Sequence, residues 1–255
     1  MSEYTLIQGD CLDILPTLRK ESIDMILCDL PYGTTQCKWD SIIPLGLLWN
    51  NYKRIIKPRG AIVLTAAQPF TSALIMSNVD MFKYTWLWNK IKPTGHLNAK
   101  KQPLRLYEDV VVFYKKQCTY NPIMTPYDKV RVNKPRTPEY KGDGNQVYGT
   151  YRDIGGTFKF YYPNQEIKIS NANQRGRLHP TQKPVTLFEY LIRTYTNEGD
   201  MVLDNCIGSG TTMEACQNLN RSCIGIELSQ EYCEIVEKRC GVKVRSSCQT
   251  VISDE

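Results

Sequence analysis

The sequence predicts an α/β fold: one parallel sheet with helices on both faces, interrupted by an inserted segment. Three observations predict it. Apolar runs of strand length alternate with helical patterns on both sides of the insertion. The run Ile23–Cys28 is apolar at nearly every position, as a strand covered on both faces requires. Acids and glycines stand just past the ends of several strands, where open α/β sheets place their ligands.

Taken in order, residues 4–8 form a strand that ends at Gly9-Asp10, and Leu12, Leu15 and Leu18 fall at helical spacing up to Lys20. After the second strand, 23–28, comes the loop DLPYG. Leu45, Leu48, Trp49 and Tyr52 mark a helix stopped by KPRG at 57–60. Residues 61–65 read as a strand, 69–77 as a helix, 84–88 as a strand, 90–105 as a polar loop and 110–114 as a strand. A basic, aromatic-rich stretch follows, with a hint of strand at FKFYY. Regular alternation resumes with a helix at 185–194, a strand at 201–205 and a helix from Met213. A strand at 222–227 and a helix at 230–239 complete it.

At 255 residues, 42% hydrophobic and 23% charged, the chain fits one large domain or one domain with an insertion. No stretch approaches the roughly 18–20 apolar residues of a membrane span. MSEYTLIQGD has neither a basic start nor a long apolar run, so no secretory signal is expected and the protein reads as cytoplasmic. The ten cysteines show no C-x-x-C pair and have two histidines for company. Neither a disulfide framework nor a metal site is expected; most are read as small buried residues in a reducing compartment.

Net charge is +6, but residues 115–185 alone hold thirteen Lys and Arg against five Asp and Glu. Nine of the 26 aromatics lie in the same stretch, between Tyr120 and Tyr162. Cations interleaved with flat rings suit a polyanion that also offers bases. A solvated insertion with its own small cluster of rings is the alternative.

The second informative stretch is VLDNCIGSGTT, residues 202–212. A strand delivers Asp204, then Gly208 and Gly210, then a helix. Glycine lets the backbone turn sharply and approach a ligand closely. The following strand, CIGIEL, carries Glu227 at its tip, 17 residues after Gly210, where a carboxylate can accept from two ribose hydroxyls. Met213 stands where a dinucleotide fingerprint would have its third glycine, and no Gly-Lys-Ser/Thr follows. A plain tight turn would explain the glycines; acids at two successive strand tips favour a nucleoside site.

DLPY at 29–32, HPTQKP at 179–184 and DNCIGSGTT at 204–212, in that order, resemble the amino-group DNA methyltransferases. The likeness is to the permuted, β-type N6-adenine/N4-cytosine branch, in which the catalytic motif comes first, and most to its adenine-specific members. The resemblance covers nearly the whole chain outside 117–175. It implies a Rossmann-like, circularly permuted sheet that binds S-adenosyl-L-methionine and acts on DNA, as in restriction–modification. It divides the chain into a catalytic half, 1–116, an inserted target-recognition segment, 117–178, and a cofactor-binding half, 179–255. In this order residues 4–8 supply the strand that would otherwise follow the Glu227 strand, and none is expected after the last helix. Asp10, with Cys11 beside it, is then implied at the cofactor's adenine. Thr181 and Lys183 are implied near its methionine end, and Asp29, Asp204, Gly208, Gly210, Thr211 and Glu227 complete the cofactor set. A homodimer, common in that family, is the oligomer the resemblance allows. Two positions depart from the pattern: Leu30 stands for a proline and Cys206 for a phenylalanine.

The DLPY loop then acquires a chemical role. An exocyclic amine on a base is a poor nucleophile, because its lone pair is delocalised into the ring. Asp29 and the Leu30 carbonyl can each accept one of its N–H groups and aim the lone pair at the methyl donor. Pro31 stiffens the loop, Tyr32 stacks on the base, and 33–40 with Trp39 folds over it. The base must first leave the duplex. A C5-cytosine enzyme would need a Pro-Cys thiolate, and the chain has no Pro-Cys. Asp29 points to adenine, since the family's cytosine enzymes usually carry Ser or Thr there. N4-cytosine methylation, an inactive DNA-binding module and a dinucleotide oxidoreductase are the alternatives.

Overall fold

The apolar runs become strands, and the two periodicities sort their side chains onto two faces. The computed structural model describes residues 2–33, 41–133, 156–171 and 182–246. In chain order the larger unit contains β1 (Tyr4–Gln8), α1 (Cys11–Ile14), β2 (Ile23–Cys28), α2 (Leu45–Ile55), β3 (Ile56–Ala66) and α3 (Phe70–Met76). It continues with β4 (Phe82–Thr94) and β5 (Arg105–Phe113). Strands β6 (Thr125–Asn133) and β7 (Gly156–Tyr161) lie in a second unit. The larger unit resumes with β8 (Glu166–Lys168), α4 (Val185–Tyr195), β9 (Met201–Asp204), α5 (Thr211–Asn218), β10 (Ser222–Glu227), α6 (Gln230–Cys240) and β11 (Val244–Ser246).

Nine strands form one sheet in the order β11-β1-β10-β9-β2-β3-β5-β4-β8. From β11 to β3 all neighbours are parallel. The expectation of a wholly parallel sheet needs correction at β5, which runs antiparallel to both β3 and β4. The physical reason is the connection. Only a short 3-10 turn, His96–Asn98, separates β4 from β5, too little for a crossover helix. Alternate residues of β2 separate the two cores: Met25 and Leu27 pack under α4, α5 and α6, while Ile26 and Cys28 pack under α1, α2 and α3.

Several boundaries move. The helical pattern up to Lys20 stops earlier: Pro16 lies in a 3-10 turn, Leu15–Thr17, that ends it. Residues 90–94 of the expected polar loop are strand, with Lys90 buried in it. The chain does not lack a strand after its last helix, because β11 pairs with β1 beyond β10. The pairing of β1 with β10, expected from the permuted order, is present, with Gln8 opposite Glu227.

The second unit, Pro122–Asn164, contains an antiparallel pair, β6 with β7. Val130, Phe158 and Phe160 are exposed on it, as are Lys129, Arg131 and Lys159. The rings of Tyr127 and Tyr161 lie 5.0 Å apart. Trp39 with most of its loop, Thr181, and the HPT half of HPTQKP lie outside the described residues, as do the basic residues Lys134, Arg136, Arg175 and Arg177.

Candidate active site

Strands β2 and β9 are neighbours, with Ile26 opposite Leu203, although 177 positions separate them in the chain. From β2 the chain crosses one way to β3; from β9 it crosses the other way to β10. Such a reversal, at the carboxyl ends of the two strands, is where open α/β sheets bind their ligands. Asp29 leaves β2 there, and the glycine loop leaves β9 beside it. The catalytic and cofactor motifs of the sequence therefore meet through one strand pairing.

Asp29 is heavily engaged. Its Oδ1 accepts from the Tyr32 hydroxyl at 2.7 Å and from the Thr65 hydroxyl. Lys183 Nζ donates to Oδ1 at 2.9 Å and to Oδ2 at 2.7 Å. The Tyr32 ring stacks on Phe70, centroids 5.2 Å apart and 22° from parallel. Burial, then the charge of Asp29, raises the Tyr32 pKa well above its ordinary value, so the phenol remains a donor. Leu30 buries its side chain in the core that lies under α2. Pro31 is half-buried.

Lys183 is 8% exposed. Burial alone would lower its pKa; the Asp29 and Glu108 carboxylates outweigh that and hold it above the usual lysine range. Its Nζ lies 3.5 Å from Glu108 Oε2 and 5.5 Å from the centroid of the Tyr32 ring. Glu108 Oε1 is held by Lys90 at 3.1 Å, and Lys90 also donates to Thr94 at 2.8 Å. Sequence reasoning missed Thr65, Phe70, Lys90 and Glu108. Thr65 lies one residue past the Cys28–Leu64 pair on the strand next to β2, a neighbouring that no local pattern in the sequence marks. Lys90 and Glu108 fall just outside the strands expected at 84–88 and 110–114, and no sequence signal marked them.

The glycine turn is built for a close approach. Gly208 and Gly210 have φ of 52° and 84°, in the left-handed region that favours glycine. A Cβ at Gly208 would meet nothing within 4 Å, whereas one at Gly210 would stand 3.2 Å from the Val236 methyls. Gly208 N–H and Ser229 N–H each donate to the Glu227 carboxylate at 2.9 Å. Burial raises the Glu227 pKa against those donors. Asp204, 2% exposed, accepts from the Thr212 hydroxyl and the Cys206 N–H; burial still pushes its pKa up to about 6. It supports the turn from below. Thr211, buried, begins α5.

Asp10 follows β1, one strand beyond Glu227, and its side chain caps α1 by accepting from Leu12 N–H at 2.8 Å. Cys11 turns inward. Its thiol contacts Cys206, and that contact together with burial pushes its pKa far above the thiol range. The segment carrying Lys183 is tied to the turn as well, for Ser209 Oγ donates to Gln182 at 3.2 Å. The described parts of all three sequence motifs thus converge. Open space over Gly208, a carboxylate at the adjacent tip and Asp10 at the tip beyond fit a nucleoside-bearing cofactor.

Comparison with known proteins agrees with this geometry. The family model described as DNA methylase, of the N6/N4 type, matches residues 23–238. The type II methyltransferase M2.DpnII of Streptococcus pneumoniae is 49% identical, over 93% of this chain and 90% of its own. M.HpaI of Haemophilus parainfluenzae is 28% identical over 93% and 74%. The DNA adenine methyltransferase YhdJ of Escherichia coli is 26% identical over 96% and 85%. Among solved structures, the M1.HpyAVI–SAM complex superposes with a TM-score of 0.63 at 25% identity, covering 94% of this chain and all of that one. The cytosine-N4-specific PvuII methyltransferase shares the fold at a TM-score of 0.64 and 18% identity, covering 91% of this chain and 84% of that one.

Proposed function

The chain belongs to the N6/N4 family of DNA methylases, S-adenosylmethionine-dependent enzymes that methylate exocyclic amines in DNA, and from that premise we propose that its target is the N6 amine of adenine. The observation that carries the reading is the carboxylate of Asp29 at the carboxyl end of β2, next to β9 and its glycine turn. The family's adenine enzymes usually carry Asp at this position and its cytosine enzymes Ser or Thr. One relative is named an adenine methyltransferase.

When bound, the cofactor supplies a methyl group on a positively charged sulfur, open to in-line displacement. Glu227 and Asp10 would hold its nucleoside, with Cys11 contributing main chain. Gly208, Gly210 and Thr211 would shape the turn around it, and Thr181 and Lys183 would lie towards its methionine end. Asp29 and the Leu30 carbonyl accept the two N–H groups of a flipped-out adenine and orient its nitrogen. A carboxylate there also favours the positive charge that develops on that nitrogen during attack. Pro31 fixes the loop, and Tyr32, backed by Phe70, offers a ring for the base.

Residues 117–178 are proposed to hold and read DNA. The exposed Lys129, Arg131 and Lys159 beside exposed rings on β6 and β7 support this. We also propose a cytoplasmic protein that acts on chromosomal DNA and forms homodimers. Among the described residues no helix is long and apolar enough to cross a membrane.

The test is chemical. Unmethylated DNA is incubated with the protein and S-adenosylmethionine, digested to nucleosides and analysed by mass spectrometry. N6-methyladenine is expected; N4-methylcytosine as the main product would falsify the choice of base. Asp29→Ala should lose methyl transfer by a factor of about 1,000 or more while cofactor binding persists.

A further inference from the structure

The ammonium of Lys183 occupies the atoms that the proposed reaction needs. It bridges both oxygens of Asp29 and lies over the Tyr32 ring. Oδ1 already takes three donors: Lys183, Tyr32 and Thr65. An ammonium on Asp29 also cancels the negative charge that would favour the nitrogen as it becomes cationic. A second cation approaching the same carboxylate, the sulfonium of the cofactor, meets repulsion from Lys183. An ammonium that stayed on Asp29 would therefore oppose the proposed reaction, and it needs somewhere else to go.

Glu108 provides it. Its Oε1 is anchored by Lys90, which is 2% exposed. Its Oε2 is buried and has no hydrogen-bond partner among the described residues, although Lys183 Nζ stands 3.5 Å away. A displacement on the order of 1 Å closes that gap to an ordinary charge-assisted bond of about 2.8 Å. A buried acceptor without a hydrogen bond costs free energy, so its place beside an ammonium that reaches it only as a 3.5 Å ion pair calls for a reason.

We infer that Glu108 is the second station of Lys183: when the target amine engages Asp29, the Lys183 ammonium passes from Asp29 to Glu108 Oε2, with Lys90 holding Glu108 in place to receive it. No bond is made or broken in this exchange, and no proton changes hands. Glu108 and Lys90 are positioning residues, since they act on the reaction through Lys183. The inference rests on the role of Asp29 given above.

The experiment is a kinetic cycle of Glu108→Gln and Lys183→Met, read by single-turnover methyl transfer at saturating cofactor and DNA. Glu108→Gln removes the receiving charge at constant shape. It should slow transfer about tenfold or more when Lys183 is present, and much less in the Lys183→Met background. Glu108→Asp, which keeps the charge, should recover part of the loss, and Glu108→Gln should leave cofactor affinity close to wild type while Lys183 is present. Equal effects of Glu108→Gln in both backgrounds, or none in either, overturn the exchange. A structure of the wild-type protein with target DNA and an unreactive cofactor analogue reads the same event if a variant is inactive or fails to fold. Lys183 Nζ should then bond Glu108 Oε2 and have left Asp29; an ammonium still seated on Asp29 overturns it. Wild-type protein that yields no N6-methyladenine sinks the parent assignment instead, so the two failures are distinguishable.

Discussion

Replacing Asp29 by Asn should destabilise the fold as well as stop the chemistry, and the size of the effect follows from the company Lys183 keeps. The lysine is 8% exposed and loses a carboxylate at 2.7 Å. Removing one member of a buried ion pair costs about 3–5 kcal/mol, because the remaining charge is left without its partner. Here Glu108 is still 3.5 Å away, so the low end, about 3 kcal/mol, is expected. For a chain of this length that corresponds to a fall in Tm of roughly 6–12 °C. Lys183→Met leaves the Asp29 and Glu108 carboxylates sharing a site without its ammonium and should cost a comparable amount. The double variant removes both charges at nearly constant volume. It should be more stable than either single variant, with a coupling of about 2–3 kcal/mol. Urea unfolding of the four proteins at neutral pH measures the cycle. Strictly additive losses would refute the reasoning, since they would mean that the two side chains do not share a buried charge balance. Activity separates from stability in the same set: the double variant should be the steadier protein and still fail to methylate.

Gly210→Ala should destabilise more than Gly208→Ala. Both cost about 1–2 kcal/mol for a left-handed backbone, but only the first pushes a Cβ to within 3.2 Å of the Val236 methyls; thermal unfolding of the two variants decides. Asp204 has a folded pKa of about 6, above its ordinary 3.8, so the folded state holds the extra proton between those values. Its contribution must therefore weaken stability as pH rises from about 4 to 6, by up to about 3 kcal/mol in total. The stability of wild type relative to Asp204→Asn should fall across that window, and a difference that does not change with pH would contradict it. Replacing Lys129, Arg131 and Lys159 together by Ala should lower the slope of log affinity for DNA against log salt by up to about 3, at roughly 0.9 for each phosphate that is no longer neutralised. An unchanged slope moves the DNA track away from β6 and β7.

How much of this was legible in the sequence depends on what each feature rests upon. The strand Ile23–Cys28 was legible because burial on both faces leaves it apolar at every position but Asp24, and its observed bounds match. The glycine turn was legible because glycine takes the left-handed φ of Gly210 without strain. The helix over Leu12 to Lys20 was over-read, since leucine spacing says nothing of the proline that converts its second half to a 3-10 turn. Lys90 was read as loop because a lysine suggests solvent. Its burial depends on Glu108, 18 residues away, and that pairing arises from a bulged register between β4 and β5 that no local pattern announces. Thr65 was missed for another reason: its relation to Asp29 follows from the neighbouring of β2 and β3, a fact of sheet order rather than of either strand's composition.

Sheet order also accounts for the chemistry as a whole. The carboxyl ends of β1, β10, β9 and β2 lie side by side on one edge, and each delivers an acid: Asp10, Glu227, Asp204 and Asp29. Chain order along that edge is irrelevant, which is why a permuted sequence can build it. An edge with four carboxyl groups favours a cationic ligand, but the four do not act alike. Asp204 is buried beneath the turn, and burial raises its pKa. Glu227 is fixed by two main-chain donors and keeps lone pairs for hydroxyls. Asp10 uses one oxygen to cap α1. Asp29 alone among them is paired with an ammonium from the third motif, at the point where the row meets the place proposed for the base. A fixed cation there would oppose both the electrophile and the nitrogen it reacts with. An ammonium that can move to Glu108 keeps Asp29 compensated in the protein interior until a base arrives, and then frees it.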